Sequence, residues 1–155
     1  MIGDSVVIQA EGVSKVYRTG EAEVRAVWKV DLKVARGEFT AVAGPSGSGK
    51  TTLLNIVSGL DSPTSGRVLL AGRPISEMGG NELSDFRRDH IGFIFQAYNL
   101  IPVLTVRENI EYVMLLQGVS ERECRERVRE MLVEVGLEGM EGRRPPQLSG
   151  GQQQR

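Results

Sequence analysis

The sequence has 155 residues, with 19 Lys and Arg against 20 Asp and Glu for a formal net charge of −1. That is the length of one domain, so the chain is expected to be a single unit, and polyanion binding through bulk positive charge is excluded. The 40% apolar and 25% charged content is that of a folding chain. The longest apolar run, residues 112–116, falls far short of the roughly 18 residues needed to cross a bilayer. No basic leader opens the chain.

Read in chain order, Val6 to Ala10 is a short β-rich run, and Val30, Leu32 and Val34 alternate with more polar neighbours, so residues 5–36 are expected to form a small antiparallel layer. The apolar run from Phe39 to Ala43 reads as a buried central strand, and it stops in the glycine-rich tract Gly44-Pro-Ser-Gly-Ser-Gly49. Leu53, Leu54, Ile56, Val57 and Leu60 then follow at helical spacing from Lys50 onward. A turn over 62–66, a strand over 67–71, a helix from about Asn81 to Asp89 and a second buried run, Ile91 to Phe95, complete the first part.

After Pro102 the pattern turns helical. Thr105-Val-Arg-Glu108 and Ser120-Glu-Arg-Glu123 both read as capping boxes. The second opens a helix whose expected inner face is Cys124, Val128, Met131, Leu132 and Val135, with Gly136 as its stop. The lone Cys124 excludes an internal disulfide, fits a reducing compartment and is expected in the core. His90, between a helix and a strand, is read as structural.

Gly44 to Thr51 matches G-x-x-x-x-G-K-S/T, in which glycines turn successive N–H groups inward and the following helix adds its positive end, making an anion cradle. In that cradle Gly44, Ser46, Gly47, Ser48 and Gly49 face the phosphates, Lys50 reaches the terminal ones and Thr51 is placed to ligate Mg²⁺. Thr52 is either a contact to the α-phosphate or a plain helix-start residue. Leu148-Ser-Gly-Gly-Gln152 is a second Ser/Gly cluster at a helix start, either another anion site or a loop.

Taken together, Gly44 to Thr51, the glutamine Gln96 after Ile-Gly-Phe-Ile-Phe, and Leu148-Ser-Gly-Gly-Gln-Gln-Gln-Arg155 resemble the Walker A, Q-loop and signature motifs of ABC ATPases. Gly59 to Gly66, Gln96 to Pro102 and Thr105 to Asn109 are most similar to the branch of lipoprotein release and of macrolide or peptide export. The resemblance implies an α/β fold: a P-loop NTPase core (37–97) with an N-terminal antiparallel β layer (5–36) and a helical subdomain after the Q-loop (98–150). It implies an ATP-binding subunit using ATP and Mg²⁺, a head-to-tail dimer with a second such subunit, membrane-spanning partners, no nucleic acid, and a place on the inner face of the cell membrane in the cytoplasm. By the same resemblance Tyr17 stacks on adenine and Gln96 reaches Mg²⁺ and the attacking water. Ser149, Gly150, Gly151 and Gln152 bind ATP held by the other subunit. Gln147 communicates across the dimer, although Pro146 beside it departs from the family's usual serine. The family's strand ending in Asp-Glu and its switch histidine have no counterpart after the signature, so the expectation is the N-terminal part of an ATPase whose C-terminal core is missing. The alternative is a nucleotide-binding module, or an inactive fragment, without hydrolysis.

Overall fold

In the computed structural model, which describes residues 6–20 and 22–155, two long strands open the chain. β1 (Val6–Thr19) and β2 (Ala22–Ala35) pair antiparallel through most of their length. β3 (Ser65–Leu70) pairs with the other edge of β1, and the short β4 (Arg73–Pro74) follows it, giving the order β2-β1-β3-β4. Antiparallel pairing is thus present between Val6–Thr19 and Ala22–Ala35, in strands much longer than the local runs suggested.

The hairpin is bent by register shifts around Gly12 to Val16. Each shift leaves backbone donors that must find partners. Gly12 N–H donates to the Asp31 carboxylate at 2.7 Å, and the Lys29 N–H donates to the Ser14 hydroxyl at 2.9 Å. Ser14 is only 3% exposed, so this bond is what allows a polar side chain to sit in the core. At the β3–β4 connection Ala71 and Gly72 both have positive φ, as a two-residue type I′ hairpin turn requires.

Contacts divide the chain into two units, one through Arg87 and one from Arg88 onward. In the first, α1 (Lys50–Val57) lies on β1, β2 and β3 and buries Ile56 and Val57 with Val13, Val27 and Val68. A 3₁₀ turn, Ile75–Glu77, leads towards α2 (Gly80–His90), on which Phe86 is buried beneath the Arg73 guanidinium.

The second unit is built on α3 (Val106–Leu116) and α4 (Glu121–Glu134), followed by a 3₁₀ turn (Pro145–Gln147) and the short α5 (Gly150–Gln154). Val106, Met114, Cys124, Val128, Leu132, Leu137 and Leu148 form its core. The Thr105 box closes fully, with the hydroxyl accepting from Glu108 N–H and the Glu108 carboxylate accepting from Thr105 N–H. The Ser120 box closes only halfway. Ser120 accepts from Glu123 N–H, but the Glu123 carboxylate turns to Arg127 one helical turn on, at 2.6 Å, where it finds a full positive charge. Met131, expected on the inner face of α4, is 45% exposed.

Two expectations fail. Residues 39–43 and 91–95 form no strand, Phe39 is 96% exposed, and Ile94 is fully exposed. A central parallel strand is held by ladders on both edges and layers on both faces, and neither run has such neighbours among the described residues. Apolar composition alone does not create a strand; within the second run Phe93 instead stacks on Phe95, with centroids 5.6 Å apart. No helix of the described residues is long and apolar enough to cross a membrane.

Candidate nucleotide site

The glycine tract ends where α1 begins. Gly49 is the residue before the first helical turn, in the left-handed region at φ 87°, and no side chain caps the helix. The starts of α3, α4 and α5 contrast with this. α3 is capped by Thr105 and also receives the Arg143 and Glu141 carbonyls on Val106 and Arg107 N–H, while α4 and α5 are capped by Ser120 and Ser149. An uncapped start presents its first-turn N–H groups and the positive end of the helix dipole to an incoming anion.

Lys50 adds the formal charge. Its ammonium folds over the loop and donates to the carbonyls of Gly44 (2.9 Å) and Pro45 (2.7 Å). It therefore stands at the centre of the arc traced by residues 44–49. The loop borders a concavity of about 290 Å³ lined by Ser46 to Thr52 and, from β2, by Val24, Arg25 and Ala26. These donors suit a polyphosphate with its cation: backbone amides and an ammonium for the oxygens, and the hydroxyl of Thr51 as a hard oxygen ligand for Mg²⁺.

The contribution of β2 was not legible in the sequence. Arg25 places a second cation on the rim, with its guanidinium held 4.7 Å from the Trp28 ring centroid. The only signal for it was its position in a strand that must pass the loop.

Tyr17 pairs with Val24 across the hairpin, which puts it one strand away from this wall. Its hydroxyl donates to Asp61 Oδ2 at 2.8 Å, and Lys15 donates to Asp61 Oδ1 at 2.6 Å and to the Ser62 carbonyl at 2.7 Å. Ser62 N–H closes on the same carboxylate at 2.7 Å. Partial burial pushes the Asp61 carboxyl up, but the hydrogen bonds from Lys15, Tyr17 and Ser62 outweigh it and hold the group below its ordinary value.

The remaining candidates lie in the second unit. Gln96 is exposed in the irregular stretch 91–100. Ser149 is the cap of α5, bonded reciprocally to Gln152 at 3.3 and 2.9 Å, with Gly150 and Gly151 opening the helix. Gln147 uses its side-chain oxygen on Arg144 N–H at 2.8 Å. A cavity of about 320 Å³ walled by Ile110, Leu132, Leu137 and Leu148 belongs to the apolar interior of this unit and contains none of the loop's amides.

The chain is 41% identical over 152 residues to the lipoprotein-releasing system ATP-binding protein LolD of Chromohalobacter salexigens, covering 98% of this chain and 64% of that one. It is 46% identical over 148 residues to the macrolide export ATP-binding/permease protein MacB of Rhodopseudomonas palustris, covering 96% of this chain and 23% of that protein. Among solved structures, the ATP-binding cassette MJ0796, in a dimeric post-hydrolysis state bound to ADP and Pi, superposes with a TM-score of 0.87 at 42% identity, covering 94% of this chain and 65% of that one. The likeness establishes the cassette fold of a P-loop α/β ATPase. The chain spans 64% of the length of the first curated relatives it matches. A model of the ABC transporter family matches residues 27–155, and the chain accordingly belongs to the ABC transporter family, on its ATP-binding side.

Proposed function

We propose that the chain is the ATP-binding subunit of a transporter that exports its substrate or releases lipoproteins from a membrane, and that the loop 44–51 holds the triphosphate of ATP. The observation that carries this reading is the uncapped start of α1 behind Gly49, with Lys50 drawn over the loop. In it Gly44, Ser46, Gly47, Ser48 and Gly49 wrap the phosphates, Lys50 pairs with the terminal ones, and Thr52 extends the cradle. Thr51 ligates Mg²⁺, which supplies neutralisation of the phosphate charge when bound. Tyr17 stacks on adenine.

The β layer and loop core carry the nucleotide, and the chain meets membrane-spanning partners on the inner face of the cell membrane. Ser149, Gly150, Gly151 and Gln152 meet the ATP of a second subunit in a head-to-tail dimer; the dimeric state of the cassette MJ0796 supports this. The net charge of −1 supports the absence of nucleic acid among its partners.

Calorimetric titration of the chain with MgATP tests the reading. Lys50→Ala should weaken binding at least about tenfold, the scale of a charge-assisted hydrogen bond. Unchanged affinity would overturn the assignment of the loop. A second reading, nucleotide binding without hydrolysis, is favoured by one observation: none of the residues lining the concavity is a carboxylate that could orient water.

A further inference from the structure

Tyr17 and Asp61 lie 44 positions apart and on different elements, yet their side chains meet at 2.8 Å. The contact belongs to a closed set. The Asp61 carboxylate takes one bond from the Tyr17 hydroxyl, and its other oxygen takes bonds from Lys15 and from its neighbour's N–H. The Lys15 ammonium is itself fixed by the Ser62 carbonyl and stands 5.0 Å from the Tyr17 ring centroid, over the ring. The tyrosine is therefore gripped at its hydroxyl and along one face, while the residue as a whole remains 41% exposed.

A half-exposed tyrosine on a strand ordinarily samples several rotamers, and a ligand that stacks on it must immobilise the ring. Here the ring is immobilised beforehand. The backbone places the anchor as well: Asp61 N–H donates to the Asn55 carbonyl at 3.1 Å, so the carboxylate is set by the end of the helix whose start is the phosphate loop. One rigid element thus relates the phosphate grip to the ring.

We propose that Asp61 and Lys15 are positioning residues for the nucleotide base, locking Tyr17 in the orientation in which its ring receives the base, so that base recognition depends on a carboxylate that does not touch the nucleotide. This rests on the reading of Tyr17 as the adenine platform, and the test separates the two. The chain is titrated calorimetrically with MgATP and, in parallel, with magnesium tripolyphosphate, which has the phosphates and no base.

Tyr17→Ala should weaken ATP by more than about fivefold and leave tripolyphosphate unchanged. Asp61→Ala and Tyr17→Phe should each weaken ATP about threefold to tenfold, the cost of ordering one side chain on binding, again with tripolyphosphate unchanged. Because both remove the bond between the hydroxyl and the carboxylate, Asp61→Ala introduced into the Tyr17→Phe background should cost less than it does in the parent chain.

ATP affinity unchanged in Asp61→Ala but lowered in Tyr17→Ala would overturn the positioning role and leave the platform standing. No effect of Tyr17→Ala would remove the platform and this proposal with it. Loss of ATP and tripolyphosphate together in Asp61→Ala would show a structural role only and overturn the proposal, as would additive effects in the double variant. Should Asp61→Ala fail to fold, Tyr17→Phe decides by itself, since deleting one hydroxyl from a half-exposed ring preserves the core, and unchanged ATP affinity there would overturn the proposal.

Discussion

Gly49 lies with its backbone against the Ala26 carbonyl of β2, so close that a Cβ at position 49 would overlap it. The phosphate loop is therefore docked on the sheet through a residue that has no side chain. Two requirements fall on the same glycine: a left-handed φ of 87° and this close approach.

Gly49→Ala should therefore act twice. The left-handed backbone costs roughly 1–2 kcal/mol for an alanine, and the overlap with a carbonyl of the sheet must be relieved by moving the loop. A lowered thermal midpoint together with MgATP affinity reduced at least about tenfold is the expected result; a variant that kept both would show that the loop is not docked on β2 in solution.

The two capping boxes, alike in sequence, should differ in weight. Thr105→Ala removes a cap whose reciprocal bond from Thr105 N–H to Glu108 is also present, while Ser120→Ala removes a single bond. Chemical denaturation should show a loss of about 1–2 kcal/mol for Thr105→Ala and about 0.5–1 kcal/mol for Ser120→Ala. Equal losses would mean that the Glu108 carboxylate contributes nothing to its box.

Acid stability should carry the signature of Asp61. Its carboxyl is held below its ordinary value in the folded chain, so the unfolded chain takes up the proton first. The stabilisation is complete above the ordinary carboxylate value near pH 4 and is lost as the pH falls below it, through the folded value. Glu38, Asp89 and Glu108 are lowered too, so the measurement is a difference. The fall in stability below about pH 4 should be shallower in Asp61→Asn than in the parent chain, and identical slopes would mean that the bonds from Lys15 and Tyr17 do not persist in solution.

Phosphate release separates the two readings of function. If the concavity lacks a group to orient water, the chain with MgATP should bind nucleotide and release phosphate no faster than buffer with Mg²⁺ alone. Release that is abolished by Lys50→Ala would identify a base within these residues and discard the binding-only reading.

What was legible in the sequence was local. The Gly44 to Thr51 loop, the Thr105 cap, the stop at Gly136 and the Cys124, Val128 and Leu132 stripe all act over one or two helical turns, so the residues that specify them are neighbours in the chain. What only the tertiary structure decided was non-local. The bulged hairpin depends on Asp31 and Lys29 meeting Gly12 and Ser14 across it, the wall of the nucleotide concavity comes from Val24 to Ala26, and the grip on Tyr17 comes from Asp61 beyond α1. The runs 39–43 and 91–95 mark the same boundary from the other side. Their composition announces a buried strand, but a strand consists of hydrogen bonds to other segments, and a run of apolar residues carries no record of which segment will supply them.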